Sequence, residues 1–395
     1  MPRLSRFGLT VNSHCAISKR EKAMSKTILI TGGAGFIGSH LADELLEKGY
    51  RVRVLDNLSA QVHGDGGDAP DYLSKEVELI HGDVREPAAV RRALTGVDAV
   101  FHLAAMVGVG QSMYEVAKYT SVNNEGTAIV LQALIDRPVE KLIVASSMSL
   151  YGEGLYRKHS GQVVPGSERT VAQLKNHDWE VYDEDGEPLA PVPTPETKLP
   201  SLSSIYALSK FDQERMCLLI GRAYRIPTVA LRFFNVYGTR QALSNPYTGV
   251  MAIFASRLMN DKPPMIFEDG LQRRDFVSVH DVSGACRLAL ENDAATGHVI
   301  NVGSGKHYTI RELAERIAGV MGKSYLDPEI TGKYRVGDVR HCFADISQAQ
   351  HLLGYKPRVG LEEGLEELVE WLEGQEAVDR VDQASAELSA RGLTV

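Results

Sequence analysis

Tyr206 and Lys210 stand four residues apart in the run Tyr206-Ala207-Leu208-Ser209-Lys210. On a helix that spacing puts both side chains on one face. An ammonium close to a phenol favours the phenolate, so the tyrosine pKa moves from about 10 toward the working pH and the group can take or give a proton. Taken alone such a pair is common on solvated helices. Its weight comes from Ser146 and Ser147, which directly follow the apolar run Leu142–Ala145. A hydroxyl there could hydrogen-bond the same substrate oxygen that Tyr206 deprotonates.

A second chemical signature lies near the start. The apolar run Thr27–Ile30 leads into Thr31-Gly32-Gly33-Ala34-Gly35-Phe36-Ile37-Gly38, followed by a helical pattern. Glycines let a backbone turn tightly against a pyrophosphate, and the free amides and dipole of the next helix stabilise its charge. A glycine motif by itself can be only a tight turn. Here Asp56 answers it from the end of the next apolar run, about 20 residues on, where a ribose-binding acid belongs. Asp56 should accept hydrogen bonds from ribose hydroxyls and repel a 2′-phosphate. Asn57, Leu58 and Ser59 supply no arginine to offset that repulsion, so NAD is expected over NADP.

The elements that must position these groups alternate in type. Short β-branched runs recur at Thr27–Ile30, Val52–Leu55, Val77–Ile80, Ala99–Leu103, Leu142–Ala145 and Thr228–Leu231, with helical patterns at Ser39–Lys48, Ala88–Leu94 and Thr127–Asp136 between them. This rhythm predicts an α/β fold, a doubly wound parallel sheet whose ligands bind beyond the carboxyl ends of the strands. After Phe234 the pattern becomes short segments punctuated by Pro and Gly, closing with an amphipathic helix at Leu361–Leu372. That part reads as a smaller α/β substrate domain.

Composition excludes several classes. The chain has 395 residues, 44% apolar and 24% charged, which fits a folded enzyme and argues against disorder or coiled coil. A net charge of -8 disfavours a nucleic-acid partner, because counterion release needs clustered cations. No apolar stretch approaches the roughly 20 residues of a membrane span. Cys15, Cys217, Cys286 and Cys342 form no CxxC, so neither a zinc site nor a disulfide framework is expected, and a reducing, cytoplasmic location is. The first 26 residues carry Arg3, Arg6, Lys19, Arg20, Lys22 and Lys26 against Glu21. They lack the apolar core of a secretory signal. They read as an extension before a start near Met24, with a transit peptide as the alternative.

With these residues in place, the chain resembles the extended short-chain dehydrogenase/reductase family, and within it the NAD-dependent nucleotide-sugar epimerases and dehydratases. The resemblance runs from Lys26 to about Leu372. It rests on the TGGAGFIG loop, the Gly82-Asp83-Val84 turn, the Leu103-Ala104-Ala105 strand end, Asn123 with Gly126 and Thr127, the SSxSLYG segment, YxxxK and Arg232-Phe233-Phe234-Asn235-Val236-Tyr237-Gly238, in that order. It implies that Gly32, Gly35, Phe36, Ile37 and Gly38 with Asp56 and Asn57 hold the dinucleotide. Asp83 and Val84 would hold the adenine, Leu103, Ala104 and Ala105 lie along the cofactor, and Lys210 bind the nicotinamide ribose as well as assist Tyr206. Asn123 would support the active-site geometry at the cofactor. Ser147 matches the family's catalytic Ser or Thr, and Ser149 is a further sugar contact. In the second half Asn235, Arg274, Arg335 and Asp338 match residues on the sugar diphosphate and nucleotide ribose; two guanidiniums suit a pyrophosphate. Cys342 matches a position that sets the room left for the sugar.

The family's dehydratases resemble Thr-Asp-Glu where this chain has Ser147-Met148-Ser149, so elimination has no evident proton carrier and 4-epimerisation is the expected reaction. The Thr239–Val250 run is similar to dTDP-L-rhamnose 4-epimerases, whereas the GDVRHCFADIS run is similar to UDP-N-acetylhexosamine and UDP-glucose 4-epimerases. A net 4-ketoreductase and a non-catalytic NAD-binding regulatory subunit remain alternatives. The expected organisation is an extension over 1–23, a Rossmann domain over 24–232 with an insertion at about 157–200, an interleaved nucleotide-sugar domain over 233–374 and a tail over 375–395. The insertion reads as a long polar loop, with a lid over the sugar pocket as one role for it. A homodimer is expected through the helices around 126–136 and 204–220, although Leu208, Phe211, Met216 and Leu219 could equally be core.

Overall fold

The structure is a computed structural model, and it describes residues 26–375 apart from 65, 243–248 and 336, together with 386, 387 and 389–394. The basic N-terminal stretch, about half of the Thr239–Val250 run and most of the tail lie outside the described residues. Seven parallel strands form the central sheet: β1 (Thr27–Thr31), β2 (Arg51–Asp56), β3 (Glu78–His81), β4 (Ala99–His102), β5 (Lys141–Ser147), β6 (Thr228–Phe233) and β7 (Val299–Val302). Their order is β7-β6-β5-β4-β1-β2-β3, the reversal of direction after β1 being the point where a crevice opens at the carboxyl ends. The doubly wound α/β sheet expected from the runs is therefore present, with β7 returning from the second half to lie beside β6.

Residues alternate across the sheet because strand side chains have a period of two. Ile28 and Ile30 of β1 join a core with Val54, Phe101, Ile143 and Leu231 on one face. Leu29 joins Leu55, Val100, Leu142 and Val144 on the other. Four helices matter for the site: α1 (Phe36–Glu47), α2 (Pro87–Ala93), α3 (Gly126–Asp136) and α4 (Ile205–Tyr224). α1 begins three residues before the helical pattern at Ser39, since Gly35 in extended conformation ends the loop. α4 is capped by Ser204, whose hydroxyl accepts from Ala207 N at 3.1 Å. It turns polar residues, Tyr206, Ser209, Lys210, Gln213 and Glu214, inward against the sheet ends. On its outer side Leu208 is 42% and Leu219 48% exposed, so these two are surface residues and not core.

The smaller unit packs Phe254, Leu258, Leu313, Ile317, Leu361, Leu365, Leu368 and Leu372 into its own core. The closing helix spans Leu361–Leu372, as its apolar spacing predicts. The insertion differs from expectation: it folds as a three-stranded antiparallel sheet of Leu155–Arg157, Val163–Pro165 and Ala190–Val192, with a short helix at Val171–Lys175. Two buried clusters hold it, Tyr156 with Val181 and Leu189, and Leu174 with Trp179 and Tyr334.

Candidate active site

The turn after β1 is built around close backbone approach. Gly32 has φ +71, a left-handed conformation, and a Cβ there would sit 2.8 Å from the Ala104 backbone. A Cβ on Gly38 would meet the Gly32 carbonyl oxygen at 2.4 Å and Gly33 Cα at 2.6 Å. α1 therefore starts pressed against the turn, and with no side chain capping it, its first amides are left for a ligand. This glycine cradle fits a pyrophosphate.

Asp56, at the end of β2, is preset by accepting from Ala34 N at 3.0 Å and Leu58 N at 2.9 Å. Asn57 Nδ2 donates to Asp83 at 2.9 Å, which joins the ends of β2 and β3. Hydrogen bonds from Arg85 hold the Asp83 carboxyl down at about 2, so that guanidinium is already engaged and does not offer itself to a 2′-phosphate. Val84 is buried against α3, where a Cβ on Gly126 would lie 2.7 Å from its side chain. Leu103, Ala104 and Ala105 follow β4, and Ala104 N donates to Thr31 at 3.3 Å.

Asn123 lies in a π-helical turn, Thr120–Glu125, a feature frequent at functional sites. It is fully buried, accepting from Met106 N at 2.7 Å and donating to Met106 O at 3.1 Å and Ser209 Oγ at 2.9 Å. Each polar atom is engaged within the protein. Asn123 thereby braces the β4 loop against α4.

The structure brings Ser147 and Tyr206 together, with Lys210 one turn further along α4 and bonded to Gln213 at 2.6 Å. The Ser147 hydroxyl bonds the Tyr206 phenol and lowers its pKa, but burial outweighs this and leaves the phenol above its ordinary value, so the lowering expected from Lys210 is not what the structure shows. Tyr206 N is held by Ser112 Oγ at 3.0 Å, and the Tyr119 ring meets the Tyr206 ring edge-on at 6.5 Å. Lys210 is 3% exposed, and burial brings its amine down to about 8. Ser149 Oγ lies 3.1 Å from Ser147 Oγ, which accepts from Ser149 N at 3.2 Å. Neighbouring carboxylates are occupied: Glu214 binds Arg232 through both oxygens at 2.7 and 2.9 Å and Ser146 at 2.6 Å, and Glu153 accepts from Tyr156 at 2.7 Å and from the amides of Arg340 and His341.

On the other side of the crevice, Asn235 carries a buried Oδ1 without a partner among the described residues. Arg274 lies against Asp338 at 3.7 Å and donates to Arg340 O at 2.9 Å and to Val339 O. Arg335 is exposed and stacks on Phe267 at 4.4 Å, with its backbone bridged to Thr394. Arg274 and Asp338 are thus together, while the Arg335 guanidinium rests on the Phe267 ring. Cys342 is 1% exposed behind Thr194, with burial raising its thiol to about 12, so it is a buried small residue that offers no open surface.

Sequence reading missed Arg340. Fully buried, it binds Asp269 at 2.6 and 2.9 Å, Glu268 at 3.2 Å and Glu180 of the insertion at 2.6 Å. Arg169 of the insertion binds Glu268 at 2.8 Å and Asp338 O at 3.0 Å. These bonds fasten the insertion to the segment that carries Asp338. An arginine inside the strand-like Arg340-His341-Cys342-Phe343 run was the available signal.

A family model, the NAD dependent epimerase/dehydratase family, matches residues 28–176 and 179–303. The chain belongs to that family. It is an enzyme whose cofactor is NAD. It is 36% identical over 352 residues to a dTDP-L-rhamnose 4-epimerase of Burkholderia thailandensis, covering 88% of this chain and 95% of that protein. A putative UDP-glucose 4-epimerase of Methanocaldococcus jannaschii is 32% identical, over 87% of this chain and 98% of its own length. Among solved structures, the UDP-N-acetylglucosamine 4-epimerase of Methanobrevibacter ruminantium in complex with UDP-N-acetylmuramic acid superposes with a TM-score of 0.73 at 31% identity, covering 89% of this chain and 99% of that one. Among the described residues, no helix is long and apolar enough to cross a membrane, and no cluster of three or more His, Cys, Asp or Glu could hold a metal.

Proposed function

We propose that this epimerase-family enzyme inverts C4 of a nucleotide-linked sugar, with dTDP-L-rhamnose and dTDP-6-deoxy-L-talose as the first pair to test. The observation that carries the reading is the single proton carrier: Ser147 bonds Tyr206, while Met148 and Ser149 supply no acid and Glu153 and Glu214 are tied up. Elimination of water needs a second acid or base at the ring; inversion at C4 does not. Tyr206, as phenolate, takes the C4 hydroxyl proton, and Ser147 hydrogen-bonds the same oxygen. Bound NAD supplies a hydride acceptor that is regenerated when the hydride returns. The 4-keto sugar turns about its diphosphate, anchored at Asn235, Arg274 and Asp338, with Arg335 swinging in from Phe267. C4 takes the hydride back on its opposite face, and Tyr206 returns the proton to the C4 oxygen. Holding the keto sugar through both steps prevents its loss.

The glycine cradle, Asp56, Asp83 and Val84 form the NAD site in this reading. The relatives named as rhamnose and glucose 4-epimerases support the reaction, and the solved UDP-N-acetylglucosamine 4-epimerase keeps UDP-N-acetylhexosamines as a second substrate class. The test is incubation of purified protein with dTDP-, UDP- and GDP-sugars, with products identified by NMR and the reduced-nicotinamide absorbance followed in parallel. The expected result is C4 inversion of one class with no net reduced cofactor. Stoichiometric consumption of added NADH would instead make it a ketoreductase. Tyr206→Phe should abolish conversion while NAD stays bound, and most activity surviving would refute the mechanism.

A further inference from the structure

The segment between β2 and β3 leaves the sheet at Asp56 and crosses its end. Gln61 exchanges hydrogen bonds with Gln111, in the loop after β4, its Nε2 donating at 3.0 Å and its Oε1 accepting at 3.4 Å. β1 lies between β4 and β2 in the sheet, so a chain tied from the end of β2 to the loop after β4 must pass over the carboxyl end of β1, where the glycine turn sits. Further along the same segment the Tyr72 hydroxyl donates to Ala34 O, inside that turn, at 2.9 Å. Ala34 is thereby held at both backbone groups, its N–H by Asp56 at 3.0 Å and its carbonyl by Tyr72. His63, from the same segment, stands beside Asp56 with its side chain 3% exposed, Nε2 3.9 Å from Asp56 Oδ1 and a buried Nδ1 that has no partner among the described residues. Buried polar atoms are normally bonded, so an unbonded one beside the expected ribose acid fits a site that a polar ligand completes.

The second half of the chain fastens this crossing. Arg240 comes shortly after the strand Asn235–Tyr237, and its guanidinium stacks on the Tyr72 ring, 5.5 Å from the centroid, while donating to Asp43 of α1 at 2.7 Å. Thr239 adds a second tie to α1, its carbonyl and hydroxyl oxygens each 3.2 Å from His40 Nε2. Arg240 has φ +65, a left-handed conformation that is unfavourable for a residue with a Cβ, so its surroundings must hold it there. The residue type suits the place, because a guanidinium can lay its flat face on a ring and still point N–H groups at a carboxylate. Leu58 and Leu73, 5% and 9% exposed, anchor the crossing segment in the core without Tyr72 or Arg240. These two side chains therefore close a segment that other contacts already fold.

We propose that the segment carrying Gln61 and Tyr72 is a strap over the bound dinucleotide, and that Tyr72 and Arg240 are the positioning residues that keep it closed, so that NAD leaves only when their contact opens. This rests on the placing of NAD at the glycine cradle above. Tyr72 acts on the turn through Ala34, and Arg240 acts on Tyr72. A slow exit suits the chemistry: the hydride taken from the sugar has to come back from the same cofactor, and a cofactor lost between the two transfers would strand a keto sugar. Arg240 also lies close along the chain to Asn235, so the fastening of the cofactor is made by the segment that faces the sugar diphosphate.

The experiment reads NAD release directly, with no sugar present. Protein loaded with radiolabelled NAD is diluted into a large excess of unlabelled NAD, and the label retained on the protein is followed with time. Tyr72→Phe removes only the hydroxyl, and Arg240→Met removes the cation while keeping an apolar stem. Each should speed release by about 3- to 10-fold, the range expected for one lost neutral hydrogen bond. The double variant should release NAD within about twofold of the faster single one, because Arg240 works through Tyr72. Release at the wild-type rate in both single variants, even with a lowered melting temperature, would overturn the proposal, since a merely structural role predicts that result. Effects that multiply in the double variant would also overturn it, since the two residues would then act separately. If Arg240→Met does not fold, Tyr72→Phe decides by its release rate alone. Gly38→Ala separates the two readings. If it weakens NAD binding while Tyr72→Phe and Arg240→Met leave release unchanged, the strap alone falls; if it leaves binding intact, cradle and strap fall together.

Discussion

Gly38→Ala tests whether the start of α1 is a ligand cradle or simply a tight turn. The added Cβ would sit 2.4 Å from Gly32 O, and ordinary van der Waals contact begins near 3.4 Å, so helix and turn must separate by about 1 Å (3.4 − 2.4). Both contacts are backbone, so no side chain can rotate away. A displacement of that size removes at least one charged hydrogen bond from the amides that face a pyrophosphate, worth about 1.5–3 kcal/mol. NAD affinity should fall about 10- to 150-fold. Calorimetric titration of cofactor-stripped protein with NAD measures it. Gly284→Ala is the matched control: it also lies in a helix, Val279–Glu291, but its Cβ would enter open space, so affinity should be unchanged and stability slightly higher. If Gly38→Ala binds NAD within threefold of wild type while folded, the cradle argument is wrong.

The remaining predictions concern the insertion and the outer face of α4. Arg340→Met should destabilise the protein by about 3 kcal/mol, at the lower end for a broken buried pair because Glu268 keeps Arg169 and the Glu180 and Asp269 side chains reach solvent; equilibrium urea denaturation measures it, and a loss below about 1 kcal/mol would contradict the network. Bonding to His341 and Arg340 holds the Glu180 carboxyl at about 2, below its unfolded value of 4.5, so its contribution is complete above pH 4.5 and disappears as pH falls toward 2. Glu180→Gln should therefore flatten the acid side of the stability curve in that window, and a curve parallel to wild type would remove Glu180 from the account. If the exposed Leu208 and Leu219 form a subunit contact, Leu208→Asp with Leu219→Asp should shift the protein from dimer to monomer in sedimentation velocity; a wild-type monomer refutes the dimer outright.

Much of the site was legible because its chemistry depends on residue types that local sequence displays. The Gly32–Gly38 turn, Asp56 at a strand end and the Tyr206/Lys210 spacing each follow from one element's geometry, and the strands recur where β-branched runs placed them. The insertion was not legible for a physical reason: its strands are three residues each, too short for alternation to show, and they are held by contacts to distant Glu268 and Arg340. Gln213 was equally silent. A glutamine on a helix signals nothing until α3 and β4 are packed against it. Asn123 was visible as a motif, but its bracing role depends on Met106 and Ser209, which only the fold brings near.

The insertion leaves the Rossmann half after β5, touches the far side of the crevice, and comes back to begin α4. Along the way Thr194 bridges Ala344, and Asn301 of β7 donates to the carbonyls of Thr194 at 3.0 Å and Asp345 at 3.1 Å. The chain is thereby laced back and forth between its two units instead of joined once by a hinge. A protease cut within 155–200 would not release either half, and separately expressed halves would each lack an integral piece of the other.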